Sequence, residues 1–191
     1  VNYSKSNLQF GIDVYSRVSR NVNLSQLFSF LDPYSSISTK GLDFSIGAKL
    51  LNNKNLKYTS NLLLSTYKST IKDVSFINAT YASPGSPGFG SASLLRIAEG
   101  EEFGQIYAPV FEVIDTDGFT IYEDVNNDGM INVFSPQDED SDYSNVGNAI
   151  PDLELSWQHN LKFSGFDLNI LFRGAFGHSL INLNRMFYEN N

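Results

Sequence analysis

Residues 153–174 read LELSWQHNLKFSGFDLNILFRG, and their alternation decides the fold. Leu153, Leu155, Trp157, Leu161 and Phe163 fall on one side of a period-two repeat. Glu154, Ser156, Gln158, Asn160 and Lys162 fall on the other. Phe166, Leu168, Ile170 and Phe172 then oppose Asp167, Asn169 and Arg173. Successive side chains of a strand point to opposite faces, so each run predicts a strand with one apolar and one polar face. The Ser164-Gly165 pair between them suits a tight two-residue hairpin.

The same pattern recurs upstream. In LQFGIDVY (8–15), Leu8, Phe10, Ile12 and Val14 oppose Gln9, Gly11, Asp13 and Tyr15. In GLDFSIGAKLL (41–51), Leu42, Phe44, Ile46, Ala48 and Leu50 oppose Asp43, Ser45, Gly47 and Lys49. LKYTSNLLLSTY (56–67) is less regular, with Leu56, Tyr58, Leu62 and Leu64 on one side. Helical periodicity is scarce. The chain therefore reads as all-β, with five framework strands.

The connections differ in length. The second and third runs are joined by NNKN and the fourth and fifth by SG, whereas about twenty and about eighty-five residues separate the other two pairs. In an up-and-down meander successive turns fall at opposite ends, so both short turns lie at one end and both long loops at the other. Alternation alone fits two architectures. In a soluble sandwich the apolar face packs on a second sheet. In a transmembrane barrel it meets lipid and the polar face lines a wet lumen. Long structureless loops are unusual in compact domains but normal on one side of outer-membrane barrels. The runs also approach the 9–11 residues a barrel strand needs to cross a bilayer. The loops favour the barrel: a transmembrane antiparallel β-barrel portion with long extracellular loops.

Composition sets further bounds. The 191 residues contain no cysteine, which removes disulfides, thiolate metal sites and a cysteine nucleophile. A net charge of −8 argues against a nucleic-acid partner. The acid is concentrated. Residues 69–152 hold 15 Asp and Glu against Lys72 and Arg96, or −13; the remainder holds 6 acids and 11 bases, or +5; together these give −8. Three regions follow: 1–68 with three barrel strands, an external loop and a short turn; 69–152 as an acidic extracellular insertion; and 153–191 as a hairpin and the start of another external loop.

Within the insertion, EDVNNDGMIN (123–132) has the opening of a calcium loop. An EF-hand-type loop takes ligands at positions 1, 3, 5, 7, 9 and 12. Here these are Asp124, Asn126, Asp128, the Met130 carbonyl, Asn132 and Ser135. Ser135 cannot supply the bidentate acid of position 12; Asp138, Glu139, Asp140 or Asp142 would have to fold back. A structural Ca2+ is the expected cofactor if the loop binds metal. The other reading is an Asn/Asp/Gly turn without metal. The acid run DEDSD (138–142) is a solvated face or a second ligand source.

Other motifs carry less. SPGSPGFG (83–90) lacks phosphate-loop spacing and reads as an external segment. Trp157 and the strand aromatics read as interfacial anchors. Phe103, Tyr107, Phe111, Phe119 and Tyr122 are candidates for substrate contact or for a small core of the insertion. His159 and His178 are isolated, with no Cys partner, no H-E-x-x-H and no G-x-S-x-G element in the chain. No catalytic residue is nominated, and the chain is not expected to be an enzyme.

Four segments resemble one family. They are RIAEGEEFGQIYA (96–108), YEDVNNDGMIN (122–132), NVGNAIPDLELSWQHNLKFSGFDLNILFRGAFG (145–177) and NLNR (182–185), with TKGLDFSIGAKL (39–50) as a compatible upstream strand. The most specific set is Arg96, Gly100, Glu101, Gly104, Tyr107, then residues 124–132, then Gly147, Asn148, Pro151 and the Gly165 hairpin. In this order they are similar to the C-terminal barrel half of SusC/RagA-type TonB-dependent outer-membrane transporters. The resemblance implies a 22-stranded barrel with an internal plug in a Gram-negative outer membrane. It implies import of oligosaccharides or peptides, with a SusD-like surface lipoprotein as lid and the TonB complex as the source of force. It implies that this chain is a fragment, since a few strands with open edges cannot close a barrel. Beside it stands a soluble, calcium-stabilised β-sandwich that binds carbohydrate or mediates adhesion.

Overall fold

The computed structural model describes residues 2–5, 7–23, 34–74, 80–82, 93–183 and 185. The described residues form twelve strands: β1 (Asn2–Lys5), β2 (Leu8–Asn23), β3 (Tyr34–Asn52), β4 (Leu56–Lys72), β5 (Thr80–Ala82), β6 (Leu95–Ile97), β7 (Gln105–Pro109), β8 (Phe111–Ile114), β9 (Thr120–Tyr122), β10 (Tyr143–Asn148), β11 (Leu153–Phe163) and β12 (Phe166–Phe176). They form a six-stranded sheet in the order β1-β2-β3-β4-β11-β12, a four-stranded sheet in the order β10-β7-β6-β5, and a hairpin of β8 with β9. Among the described residues no helix is long and apolar enough to cross a membrane.

All five framework runs are strands of the large sheet. Three are longer than their alternation predicts: β2 has 16 residues, β3 has 19 and β4 has 17. The short β1 adds an edge that the sequence did not announce, pairing Asn2 through Lys5 with Gly11 through Leu8. Among the described residues the sheet stays open, with β1 and β12 at its edges. Its short connections are 6–7, 53–55 and 164–165; its long ones are 24–33 and 73–152. Three-residue and two-residue links force antiparallel neighbours, so short and long connections alternate between the two ends of the meander. The turn at 164–165 has positive φ at both Ser164 (44°) and Gly165 (90°), the geometry that matches strand twist in a two-residue hairpin.

Register fixes the faces. Trp157 lies opposite Phe172 on β12 and Leu62 on β4; Leu161 lies opposite Leu168 and Tyr58. The apolar series read from the sequence therefore shares one face across β4, β11 and β12. Gln158, opposite Leu171 and Asn61, belongs to the other, where Leu63 and Leu171 are apolar exceptions.

The chain divides into two compact units. One comprises Val1–Arg17, Thr39–Lys68 and Pro151–His178; the other comprises Val18–Ser38, Ser69–Ile150 and Ser179–Asn191. The far ends of β2, β3 and β4 thus group with the acidic segment. The second unit has a small core in which Ile71 and Ile97 are buried, with Val22, Val74, Leu95 and Phe103 packed against them. Leu94 and Ile106 are buried there too. The first unit has no buried large apolar side chain among the described residues. Its apolar face is exposed instead: Leu153, Trp157, Phe163, Phe166, Leu168, Ile170, Phe172 and Phe176 are all open. Burial of each would be worth about 1.5–3 kcal/mol, so this face is built for an apolar neighbour.

Candidate functional site

The polar face of the first unit carries two grooves. A groove of about 530 Å³ is lined by Gln9, Ser45, Asn61, Ser156 and Gln158 together with Tyr3, Phe10, Ile46, Leu62 and Leu63. A second, of about 480 Å³, adds Ser65, Glu154 and Arg173. Each is the floor that a small or polar side chain on every second residue leaves. A Cβ on Gly47 would come within 2.8 Å of the Asn61 side-chain oxygen, and one on Gly41 would collide with the Tyr15 ring. Glycine at these positions lets neighbouring side chains lie across the strand. The Lys162–Asp167 pair at 3.2 Å is largely exposed and adds little to stability. The surface mixes amides, hydroxyls and a few charges with apolar side chains such as Leu63.

The opposite face carries a polar–aromatic cluster. The Trp157 indole N–H donates to Ser60 Oγ at 2.9 Å. Tyr58 and His159 are hydrogen-bonded through the phenol and Nδ1 at 2.8 Å. Trp157 and His159 rings lie 4.4 Å apart, and Phe172 closes on both. His159 is therefore not isolated: the register of β11 and β4 brings it a tyrosine from 101 residues away. These pairings satisfy polar atoms on a face otherwise made of Leu, Ile and Phe.

In the second unit the Asp124 loop is closed by its own backbone. Asp124 accepts the Asp128 and Gly129 N–H groups at 3.2 and 2.9 Å. Asn126 Oδ1 accepts the Asp128 N–H and Asp128 Oδ1 the Met130 N–H, both at 2.8 Å. The acid that organises the loop is Asp142, which is fully buried. Its Oδ2 accepts the Asn132 N–H at 2.7 Å, and its Oδ1 accepts those of Val125 and Asn126 at 2.9 and 3.4 Å. These bonds, that from Asn132 foremost, hold its carboxyl below the usual carboxylate range against the cost of burial. Asp142 folds back as position 12 required, but it binds N–H groups. Asp138 and Asp140 meet the Asn132 amide instead. Among the described residues no three acidic, His or Cys side chains group to hold a metal.

The motif around Arg96 is structural. Arg96 pairs with Glu101 at 2.8 Å, donates to the Tyr107 hydroxyl at 2.5 Å and lies over the Tyr107 ring. Gly100 and Gly104 supply positive φ (83° and 96°) where the chain turns between β6 and β7. Ala149 N–H donates to the Gly104 carbonyl, and Asn148 caps Ile150. Of the aromatics considered for substrate contact, Phe103 packs on the core, Tyr107 is held by Arg96 and Tyr122 is half-buried. Phe111 and Phe119 are exposed. The 83–90 segment lies outside the described residues.

No family model matches the chain. It is similar to TonB-dependent receptor P26 of Formosa agariphila, 27% identical over 178 residues that cover 81% of this chain and 16% of that protein. Among solved structures it is similar to the RagAB peptide transporter, with a TM-score of 0.63 and 17% identity over 96% of this chain and 21% of the other. The RagAB peptide importer in its "closed-closed" state gives a TM-score of 0.58 and 18% identity, again covering 96% and 21%. The chain thus spans about a sixth to a fifth of these relatives' lengths. It resembles a TonB-dependent receptor in sequence and the RagAB structures in fold.

Proposed function

We propose that this chain is a barrel portion of a TonB-dependent outer-membrane importer. The carrying observation is the sheet of the first unit, apolar and exposed on one face, polar and grooved on the other, with no buried apolar core among its described residues. Such a sheet needs hydrocarbon on one side and water on the other, as in a closed transmembrane barrel. The alternation of short and long connections supports the same reading. Closure into a 22-stranded barrel requires the rest of the transporter. A soluble sandwich would require a second sheet over the apolar face, and the exposure of that face speaks against it.

Peptide is the favoured cargo class, since the solved neighbours are described as a peptide transporter and importer; oligosaccharide is the alternative that the grooves also accommodate. A SusD-like surface lipoprotein over the acidic segment and TonB on the periplasmic side complete the assembly. Calcium at Asp124, Asn126, Asp128, Met130 and Asn132 is the second reading of that loop, because the Asp124, Asn126, Asp128 and Asn132 side chains accept backbone N–H groups. The better-supported reading is a clip centred on Asp142. The test of function is deletion of the full-length parent followed by uptake of fluorescent oligopeptides and oligosaccharides. Loss of TonB-dependent peptide uptake, with the parent found in outer membranes, is expected. Unchanged uptake of both classes would refute it.

A further inference from the structure

Residues 53–55 link β3 to β4 and residues 164–165 link β11 to β12, and such short links set the register of the strands they join. β4 and β11 are joined through residues 73–152, a connection long enough to leave their register free. Alternation supplies part of what is missing. A slip of one residue would turn the apolar series of β11 to the polar face. A slip of two keeps every face as it is, so the apolar pattern does not forbid it.

Two side-chain hydrogen bonds on the apolar face tell these registers apart. Tyr58 meets His159 Nδ1 at 2.8 Å, and the Trp157 indole N–H donates to Ser60 Oγ at 2.9 Å. In the observed register Tyr58 lies opposite Leu161, Ser60 opposite His159 and Leu62 opposite Trp157. Both bonds therefore run along one diagonal, which long side chains can span. A slip of two removes both diagonals. One way, the Tyr58 hydroxyl meets Leu161 and the indole N–H meets Leu62; the other way, Leu56 and Leu155 take the diagonal places beside His159 and Ser60. On the polar face the bonds between the same strands, Asn160 to Thr59 and Tyr67 to Glu154, are longer, at 3.4 and 3.5 Å. The bonds from Gln158 to Asn169 and from Lys162 to Asp167, which join β11 to β12, also lie on the polar face. The short bonds on the apolar face thus join the two strands whose register the chain leaves open.

Register also composes the larger groove. Asn61 stands opposite Gln158 and Leu63 opposite Ser156, and all four line it. A slip of two would set Asn61 against Ser156 or Asn160. We propose that Tyr58, Ser60, Trp157 and His159 are positioning residues that lock β11 to β4 and so fix which side chains line the groove. The lock needs nothing outside this chain and stands apart from the transporter reading.

The experiment uses the full-length parent, without cysteine elsewhere, in its native membrane. Cysteine pairs read the register by oxidation, since a disulfide needs Cα atoms about 4.4–6.8 Å apart. Leu63→Cys with Ser156→Cys reports the observed register; Leu63→Cys with Gln158→Cys and Asn61→Cys with Ser156→Cys report the two slips. In the otherwise unsubstituted parent the first pair alone should close. Tyr58→Phe with Ser60→Ala removes both bonds at nearly constant volume and should raise a slipped disulfide roughly tenfold. Leu62→Val thins the same face but breaks neither bond, and should leave all three yields unchanged. Closure of the first pair alone in the double variant would overturn the proposal, as would an equal rise with Leu62→Val. If the double variant does not reach the membrane, Tyr58→Phe and Ser60→Ala singly decide the matter by the same yields. An otherwise unsubstituted parent absent from the outer membrane overturns the transporter reading alone, and the register is then read in the fraction that holds it.

Discussion

The Asn132 N–H donates to the buried Asp142 carboxylate at 2.7 Å, while Val125 and Asn126 share the other oxygen. One side chain thus ties the start and the end of the 124–132 loop together. Asp142→Asn keeps the shape but turns one acceptor into a donor facing N–H groups. Faster amide exchange at Val125, Asn126 and Asn132 is expected, with the six-stranded sheet unchanged.

The same carboxyl sets a pH dependence. Its pKa is lowered in the folded protein, so its contribution is fully present above the unfolded value of about 3.9. It is lost as pH falls through the folded value. Protease sensitivity of residues 123–142 should be flat between about pH 5 and 8 and rise only below about pH 4. A rise near pH 6 would assign control to another group.

Chelation separates the two readings of the loop. With Asp142 as its centre, cleavage between residues 69 and 152 should be the same in calcium and in chelator. Chelator-dependent cleavage, abolished by Asp124→Ala, would establish the calcium site instead.

Tyr15 over Gly41 gives a packing test. Gly41→Ala forces a methyl group into the Tyr15 ring and should destabilise the sheet by about 1–3 kcal/mol. Tyr15→Ala in the same protein should recover part of that loss. Urea midpoints of vesicle-embedded parent protein would measure both.

The sequence made the faces legible because a period of two is unaffected by distant context. Leu155, Trp157, Leu161 and Phe163 lie together on the face that their spacing assigned. The extensions of β2 to β4 were not legible, since VSRNVN and STIK carry no clean apolar alternation. The short strands β5 to β10 have three to six residues each, too few for periodicity to speak. Asp142 was one of four acids able to complete the Asp124 loop, and only the fold selects it. The Tyr58–His159 contact depends on the register between strands far apart in sequence.

The central claim is that the apolar sheet face meets lipid. Single spin-labelled cysteines at positions 167–173 of the parent in vesicles, compared for oxygen and for water-soluble nickel accessibility, test it directly. The account predicts alternation: Leu168, Ile170 and Phe172 open to oxygen, Asp167, Asn169 and Arg173 open to nickel. Shielding of Leu168, Ile170 and Phe172 from both reagents would mean that protein, not hydrocarbon, covers this face, and would contradict the account.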